Sequence, residues 1–420
     1  MLVGWHLRLG TNFETLSIVD GDGDGERCDV LPETWQETMS MIRSVKQQIA
    51  SIALALVFSL SFTFFSSPRS ASLESLAQMR SQNPKGMEEK LKFLEQRFEA
   101  LRKEKRIPGM AVAVVSRQQV IFAKGFGFMD GERQRPTTPD TAFCIASVTK
   151  PFTAAVFMRL AEAGKLDLNF KMADAPGYSL WCEQFSQSDS IFAKDLDCKA
   201  PITVKNVLSH TVNGKPGERF SYNAAVYSQL RRVIPVVTKQ TLAELLYEYV
   251  LDPADMNDTA AGWYDRKKSH VLTNLAQPRQ LTPDGGLEIS ITPIWDVGTS
   301  SGIISTVLDL AKFDIAMDRN LIVPEKIKQQ MWSQTISTGG QPQDYGIGWY
   351  VQNYRGTKLV WHSGWEPNSY SALFLKILEK ELTLIVLANS EGVWWGNALD
   401  KAEVEKSALA STFLDLFLQK

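Results

Sequence analysis

Four segments near the C-terminus alternate along the chain in apolar and polar character and are separated by short polar turns. They are residues 345–351, 358–363, 370–377 and 382–389. Period-two alternation is typical of antiparallel β-strands, because successive side chains point to opposite faces of a sheet. Two more such segments, residues 111–116 and 120–128, precede a long stretch with helical patterning. Strands at both ends with helices between them predict an α+β domain, and a helix over residues 397–418 is expected to close it.

The composition excludes several classes of function. Among 420 residues, 45 are basic and 47 acidic, a net charge of −2 that provides no basic surface for a nucleic-acid partner. The four cysteines contain no C-x-x-C pair and the four histidines are scattered, so no zinc site is predicted. We therefore expect neither a metal nor another cofactor.

One predicted helix carries residues suited to acyl transfer. Apolar side chains repeat at helical spacing over residues 152–160, and Gly164 ends the pattern. Pro151 is tolerated only in a first turn, so the helix is expected to begin near Ser147, with Lys150 one turn later on the same face. A desolvated lysine can remove a proton from a serine hydroxyl, and a helix N-terminus favours a developing oxyanion. By itself this S-x-x-K pattern is also compatible with an ordinary helix start.

The surrounding motifs make the pattern specific. They are IPGMAVAVV (107–115), SVTKPFTAAVFMRLAEAGKLDLN (147–169), ITVKNVLSHT (202–211), PGERFSYNAAVYSQL (216–230), SSGIISTVLDLAKF (300–313) and LVWHSGWEPNSYSALF (359–374). Over residues 88–420 the chain resembles the serine β-lactamase and penicillin-recognising family, especially its class C-like branch of esterases, D-peptidases and β-lactamases. The resemblance implies one antiparallel sheet flanked by helices, with a mostly helical region inserted between its strands and the site at their junction.

The resemblance also implies roles for individual residues. Ser147 is expected to be the nucleophile, Lys150 its partner, and Tyr222 the phenol that carries the proton between Ser147 and the leaving group. His210, at the end of the third motif, corresponds to a structural histidine of the family.

A second group is expected to bind substrate. His362, Ser363 and Gly364 occupy the family's K-T-G position, with His in place of Lys as in some D-peptidases and esterases. The backbone N–H groups of Ser147 and Trp365 would form the oxyanion hole. The alternative for His362 is an ordinary hydrogen-bonded histidine at a strand end.

Two positions depart from the family pattern. The family's Tyr-x-Asn motif is represented by Tyr222, Asn223 and Ala224, so the amide-binding Asn is one place early or missing. A shifted match at residues 227–229 fits only loosely. Trp365 stands where a small residue is usual and is expected to narrow the acyl pocket. Both departures favour an ester substrate over a β-lactam.

A competing motif lies at residues 298–302, which satisfy G-x-S-x-G around Ser300. Asp309, Asp314 and His362 follow in the order that α/β-hydrolases use. That motif requires a strand directly before the serine, and residues 288–297 have little strand character. We expect instead a loop leading to a helix over residues 304–317.

The N-terminal region has the layout of an export signal. Residues 49–65 form an apolar run without charge, preceded by Arg43 and Lys46 and followed by small residues. We predict a leader at 1–48 that results from an over-extended gene start, a signal peptide at 49–66, a linker at 67–87 and the hydrolase domain at 88–420. The alternatives are an uncleaved membrane anchor through 49–65 and a buried core helix. Cleavage or anchoring would place the domain outside the cytoplasm, in the periplasm or secreted.

Cys182 and Cys198 bracket a polar stretch and are predicted to pair in an exported protein, with two free thiols as the alternative. The predicted function is a serine hydrolase that acts through an acyl-enzyme on a small ester, amide or peptide. Esterase or small-amide hydrolase is ranked first, then D-peptidase acting on cell-wall peptides, then β-lactamase. The alternative of another class is a non-catalytic, penicillin-binding-like receptor, although retention of all three catalytic residues favours the enzyme.

Overall fold

The structure is a computed structural model that describes residues 6–9, 16–19 and 86–418. The chain divides into two units, Met1–Gln82 and Asn83–Lys420. In the first unit, strands β1 (His6–Leu9) and β2 (Leu16–Val19) pair antiparallel. The predicted signal segment at 49–66 and most of the predicted linker lie outside the described residues. Within the described ranges, no helix is both long enough and apolar enough to cross a membrane.

The second unit is built on a six-stranded antiparallel sheet. Its strands are β3 (Gly109–Ser116), β4 (Gln119–Gly127), β9 (Tyr350–Tyr354), β10 (Thr357–Glu366), β11 (Tyr370–Ile377) and β12 (Leu382–Ala388). The spatial order is β4-β3-β12-β11-β10-β9, so the two N-terminal strands join the four C-terminal ones through β3 and β12. Strands β11 and β12 are buried along their whole length, as expected for a sheet covered on both faces.

Helices cover the sheet and form the insertion between its strands. They are α1 (Met87–Glu104), α2 (Thr149–Glu162), α3 (Tyr178–Ser186), α4 (Val204–Leu208), α5 (Ala224–Ser228), α6 (Ile234–Val237), α7 (Leu242–Leu246), α8 (Ser269–Thr273), α9 (Val307–Asp318), α10 (Glu325–Met331) and α11 (Ala408–Leu418). Short strand pairs β5 (Phe143–Cys144) with β8 (Ile304–Ser305), and β6 (Arg279–Leu281) with β7 (Leu287–Ile289), lie outside the main sheet.

Two hydrophobic cores lie on opposite faces of the sheet. Helices α1 and α11 pack together on one face, where Phe98 and Phe413 join side chains from β3 and β12. On the other face α2 and α9 meet, and Phe152 stacks on Phe313 with ring centroids 4.0 Å apart. This arrangement confirms the predicted α+β class, with an antiparallel sheet between helical layers.

A buried ionic cluster fastens α9 to the sheet. Lys376 on β11 donates to Asp314 at 3.0 Å and to Asp318 at 2.8 Å, and both aspartates belong to α9. Lys376 and Asp314 are almost completely buried, so each needs the other to compensate for lost hydration.

Some predicted boundaries were wrong. The last helix was expected over 397–418 but begins at Ala408, because residues 404–406 form a separate 3₁₀ turn. The helix expected from 304 begins at Val307, because Ile304–Ser305 pairs with β5 and Thr306 caps the helix. In the insertion, Cys182 and Cys198 form a disulfide, whereas Cys144 is a buried free thiol.

Candidate active site

Ser147 lies in a tight turn at the start of α2. The turn is a 3₁₀ helix, Ala146–Val148, which continues directly into Thr149–Glu162, so Pro151 falls in the first helical turn as its missing N–H requires. Ala146 has φ +46°, an unfavourable conformation for a residue with a side chain. Strain beside a reactive side chain is common where surrounding structure fixes a functional geometry.

Lys150 is fully buried beside this serine. Its Nζ lies 3.0 Å from Ser147 Oγ and donates a second hydrogen bond to the carbonyl oxygen of Ser300 at 2.9 Å. Burial lowers the pKa of Lys150 to about 7, and the carboxylate of Glu366 opposes this fall. An amine with such a pKa is substantially neutral near pH 7 and has a lone pair for the serine proton.

Two tyrosines enclose the lysine. The Tyr222 and Tyr227 ring centroids lie 5.0 Å and 5.3 Å from Lys150 Nζ. Burial raises the pKa of Tyr222, and a hydrogen bond with Ser147 opposes the rise. Tyr222 is therefore a protonated phenol in contact with the serine. Tyr227 instead donates to the backbone carbonyl of Lys150 at 3.2 Å, which holds the first turn of α2.

His362 is buried on β10 in its neutral form. Its Nδ1 lies 2.7 Å from the Ser363 carbonyl oxygen and its Nε2 lies 2.9 Å from the Tyr345 hydroxyl. The carbonyl can only accept, so Nδ1 carries the proton and Nε2 accepts from Tyr345. Burial, together with the charge of Lys150, lowers the pKa of His362 to about 3. The K-T-G position therefore carries no positive charge in this chain.

Gly364 allows β10 to touch the turn that holds the serine. A Cβ at this position would lie 2.2 Å from the backbone oxygen of Ile145, far inside normal contact. Because side chains alternate along a strand, the Trp365 side chain points to the opposite face. There it is 38% exposed, stacks on Trp394 with centroids 4.3 Å apart and donates to Glu391. The Trp365 side chain thus packs on the face of β10 opposite the serine turn, and the expected narrowing of the acyl pocket stays a prediction.

The structure also places Asn223 elsewhere than expected. Its side chain is fully buried, accepts from the Val226 N–H at 2.9 Å and donates to the carbonyl of Phe192 and to Asn213. Asn223 thus caps α5, and its amide is already satisfied inside the protein. Its backbone N–H donates to Nδ1 of the buried His210 at 3.0 Å, which holds the segment that carries Tyr222.

The structure shows where the serine of the competing G-x-S-x-G motif lies. Ser300 lies in a loop, and the nearest preceding strand within residues 86–418 ends at Ile289. The required strand-turn-helix arrangement is not present there. What this loop contributes is the Ser300 carbonyl that holds Lys150, a contact that a sequence pattern could not reveal.

Glu366 was missed by the sequence reasoning. It lies on β10 two residues beyond Gly364, is partly buried, and its charge acts on Lys150. A sequence signal existed, because an acidic residue stands two positions after the H-x-G motif. The signal was not used because the resemblance assigned no role to this position.

Comparisons with known proteins identify the family of the chain. A model of the Beta-lactamase family matches residues 94–406. The Flp protein of Staphylococcus aureus is 28% identical over 310 residues, which cover 67% of this chain and 60% of that protein. A penicillin-binding protein of Bacillus subtilis is 25% identical, with 72% of each chain covered. The octameric penicillin-binding protein homologue from Pyrococcus abyssi superposes with a TM-score of 0.63 and 26% identity, covering 78% of this chain and 77% of the other.

The chain thus spans about 60% of the length of the Flp proteins that it matches. The family match covers most of the chain and includes all the segments that form the site. The chain belongs to the Beta-lactamase family, the β-lactamase/transpeptidase-like serine hydrolases.

Proposed function

We propose that this protein cleaves ester and small-amide bonds through an acyl-enzyme formed on Ser147. The observation that carries the proposal is the 3.0 Å approach of Lys150 Nζ to Ser147 Oγ, with the pKa of Lys150 lowered by burial to about 7. A serine nucleophile needs a base within hydrogen-bond reach. Lys150 lies at that distance and is substantially neutral near pH 7, so it can accept the proton.

The proposed reaction has two stages. Ser147 Oγ attacks the substrate carbonyl while its proton passes to neutral Lys150. Tyr222, hydrogen-bonded to Ser147, then delivers a proton to the leaving group and takes the proton held by Lys150 in return, so that Lys150 is neutral again. A water molecule cleaves the acyl-enzyme by the reverse proton route. The backbone N–H groups of Ser147 and Trp365 are proposed to hold the oxyanion, which removes the need for a cationic side chain there.

An ester is the favoured substrate because two groups that bind a β-lactam's polar parts are absent from the proposed site. Asn223 uses its amide internally, so it does not pair with the amide of a peptide-like acyl group. A missing hydrogen bond of this kind costs about 1–3 kcal/mol, roughly tenfold to a hundredfold in rate. Neutral His362 also provides no cation for the carboxylate that penicillins and peptide C-termini carry.

The test compares kcat/KM for p-nitrophenyl butyrate and for nitrocefin on one preparation. We expect the ester to be preferred by tenfold or more, and Ser147→Ala to abolish turnover of both. Preference for nitrocefin by tenfold would reverse the ranking in favour of β-lactamase activity. Stable labelling by fluorescent penicillin without turnover of either substrate would support the receptor alternative.

Export is part of the proposal. The disulfide between Cys182 and Cys198 supports it, because such bonds persist mainly in oxidising compartments. N-terminal sequencing of protein recovered outside the cytoplasm should give a start near residues 67–72. An intact mass that includes residues 49–65 in the membrane fraction would indicate the anchor instead.

A further inference from the structure

A disulfide closes a loop that has little regular structure of its own. Cys182 is fully buried in α3, and its bond to Cys198 closes residues 183–197, here called the disulfide loop. Beyond the end of α3 at Ser186, the loop consists of turns, bends and one isolated bridge. Its backbone is therefore not fixed by a helix or a sheet. Its shape depends on the covalent bond and on contacts with neighbouring segments.

Carbonyl groups of the disulfide loop bind two buried amide side chains. The Phe192 carbonyl oxygen accepts from Asn213 Nδ2 at 3.2 Å and from Asn223 Nδ2 at 2.8 Å. The Lys194 carbonyl oxygen accepts from Asn213 Nδ2 at 2.7 Å, and Asn223 Nδ2 also donates to Asn213 Oδ1 at 2.9 Å. The four N–H groups of the two amides are thus all used, three of them on loop carbonyls. Because both amides are buried, losing the loop would leave these groups without partners.

The two asparagines lie in the segment that carries the catalytic phenol. Asn223 directly follows Tyr222, and its backbone N–H donates to Nδ1 of His210 at 3.0 Å. On the other side of Tyr222, the Ser221 N–H donates to the His210 carbonyl oxygen at 2.8 Å. Residues 209–223 form turns and bends between α4 and α5, so side-chain contacts rather than a ladder of backbone bonds fix this segment. The disulfide loop supplies a large share of those contacts.

We propose that the disulfide loop positions Tyr222, so that delivery of the proton to the leaving group depends on the bond between Cys182 and Cys198. The inference rests on the proposed hydrolase function. Without the disulfide, the loop carbonyls withdraw from the two asparagines, and the phenol leaves its hydrogen bond with Ser147. The contact between Ser147 and Lys150 is local to the start of α2 and stays in place. The hydrolase is then fully active only in an oxidising compartment, where the disulfide can form.

The leaving group of the ester distinguishes this role from a general contribution to stability. p-Nitrophenolate leaves without a proton, whereas ethoxide must be protonated as it departs. General acid catalysis contributes about 10²–10⁴-fold where such a proton is needed. We therefore expect the double variant Cys182→Ser with Cys198→Ser to lose at least about tenfold more kcat/KM on ethyl butyrate than on p-nitrophenyl butyrate. Tyr222→Phe should show the same bias and sets its full size.

Two further variants separate positioning from stability. Asn213→Ala keeps the disulfide but removes two of the three amide bonds to the loop, so it should bias the two esters in the same direction. It decides the question if the double variant does not fold. The matched control is Lys376→Met, which breaks the buried ionic cluster on α9 and leaves the disulfide loop intact. It should leave the ratio of the two kcat/KM values unchanged.

The contrary outcomes are distinguishable. Equal losses on both esters in the double variant and in Asn213→Ala would assign the loop to stability alone, with the proposed hydrolase intact. Wild-type rates on ethyl butyrate in these variants would show that the loop does not position Tyr222. If wild-type protein hydrolyses neither ester and a fluorophosphonate does not label Ser147, the proposed function fails and this inference fails with it.

Discussion

Replacing Gly364 by Ala tests whether the contact between β10 and the serine turn controls catalysis. The added Cβ would lie 2.2 Å from the Ile145 backbone oxygen, so the two segments must separate by about 1.2 Å to reach an ordinary contact of 3.4 Å. Both sides of the contact are backbone, so neither side can relieve it by turning a side chain. Ser147, two residues after Ile145, must therefore move relative to the Trp365 N–H.

The substitution is expected to cost both stability and activity. Overpacking of this kind lowers the free energy of unfolding by about 1–3 kcal/mol. A displacement of about 1 Å between reacting groups costs roughly 10²-fold in rate. We therefore expect kcat/KM for p-nitrophenyl butyrate to fall about a hundredfold in protein that still unfolds cooperatively in urea.

The matched control is Gly339→Ala, where the nearest atom to the added Cβ, Ser337 Oγ, is 3.8 Å away. It should leave both activity and stability within error of wild type. If Gly364→Ala retains activity within threefold and labels normally with a fluorophosphonate, the contact does not position the site and the reasoning fails.

Further predictions concern the nucleophile, its base and the fold. Fluorophosphonate treatment should give one adduct by intact mass, lost in Ser147→Ala and kept in Ser300→Ala; the reverse pattern would favour the G-x-S-x-G motif. With the pKa of Lys150 lowered to about 7 by burial, kcat/KM for an uncharged ester should rise about tenfold per pH unit below 7 and level off above it. Lys150→Ala should lower kcat and kcat/KM together by at least ~10²-fold, and a change confined to KM would indicate a binding role. Lys376→Met should lower the free energy of unfolding, measured in urea, by about 3–5 kcal/mol, because it leaves buried carboxylates without their cation. Arg355→Ala removes an exposed ion pair and should lower the free energy of unfolding by under about 1 kcal/mol. Equal losses of stability in the two variants would contradict the role given to the buried cluster.

Local patterns were sufficient to predict the elements that carry the site. Residues 370–377 were predicted as a strand from their apolar and polar pattern between two turns, and strand β11 has those bounds. Pro151 is tolerated only in a first turn, so α2 had to begin within a few residues before it. Lys150 follows Ser147 by three residues, so the contact between the two side chains is a consequence of helix geometry. Boundaries without such a signal were predicted less well, as at α11, where apolar residues continue through a turn that ends in a 3₁₀ helix.

The hydrogen-bond partners of the Asn223 side chain could not be predicted from its neighbours in the sequence. Its amide is used by Asn213 and by the carbonyl of Phe192, 31 positions earlier, and neither contact leaves a pattern in the chain. The face to which the Trp365 side chain points could not be predicted either. Its size is visible in the sequence, but which face of β10 meets the serine turn depends on how the sheet packs against α2.

Side-chain periodicity and contacts within one turn were thus enough to predict the antiparallel strands, the helix start and the types of residue available for acyl transfer. The chemical state of those residues depends instead on how distant segments pack around them. The lowered pKa of Lys150 and the raised pKa of Glu366 both arise from burial by segments far apart in the chain. Desolvation of a group depends on all the atoms packed around it. Those atoms surround the group only when the sheet, the helices and the loop at Ser300 have packed together.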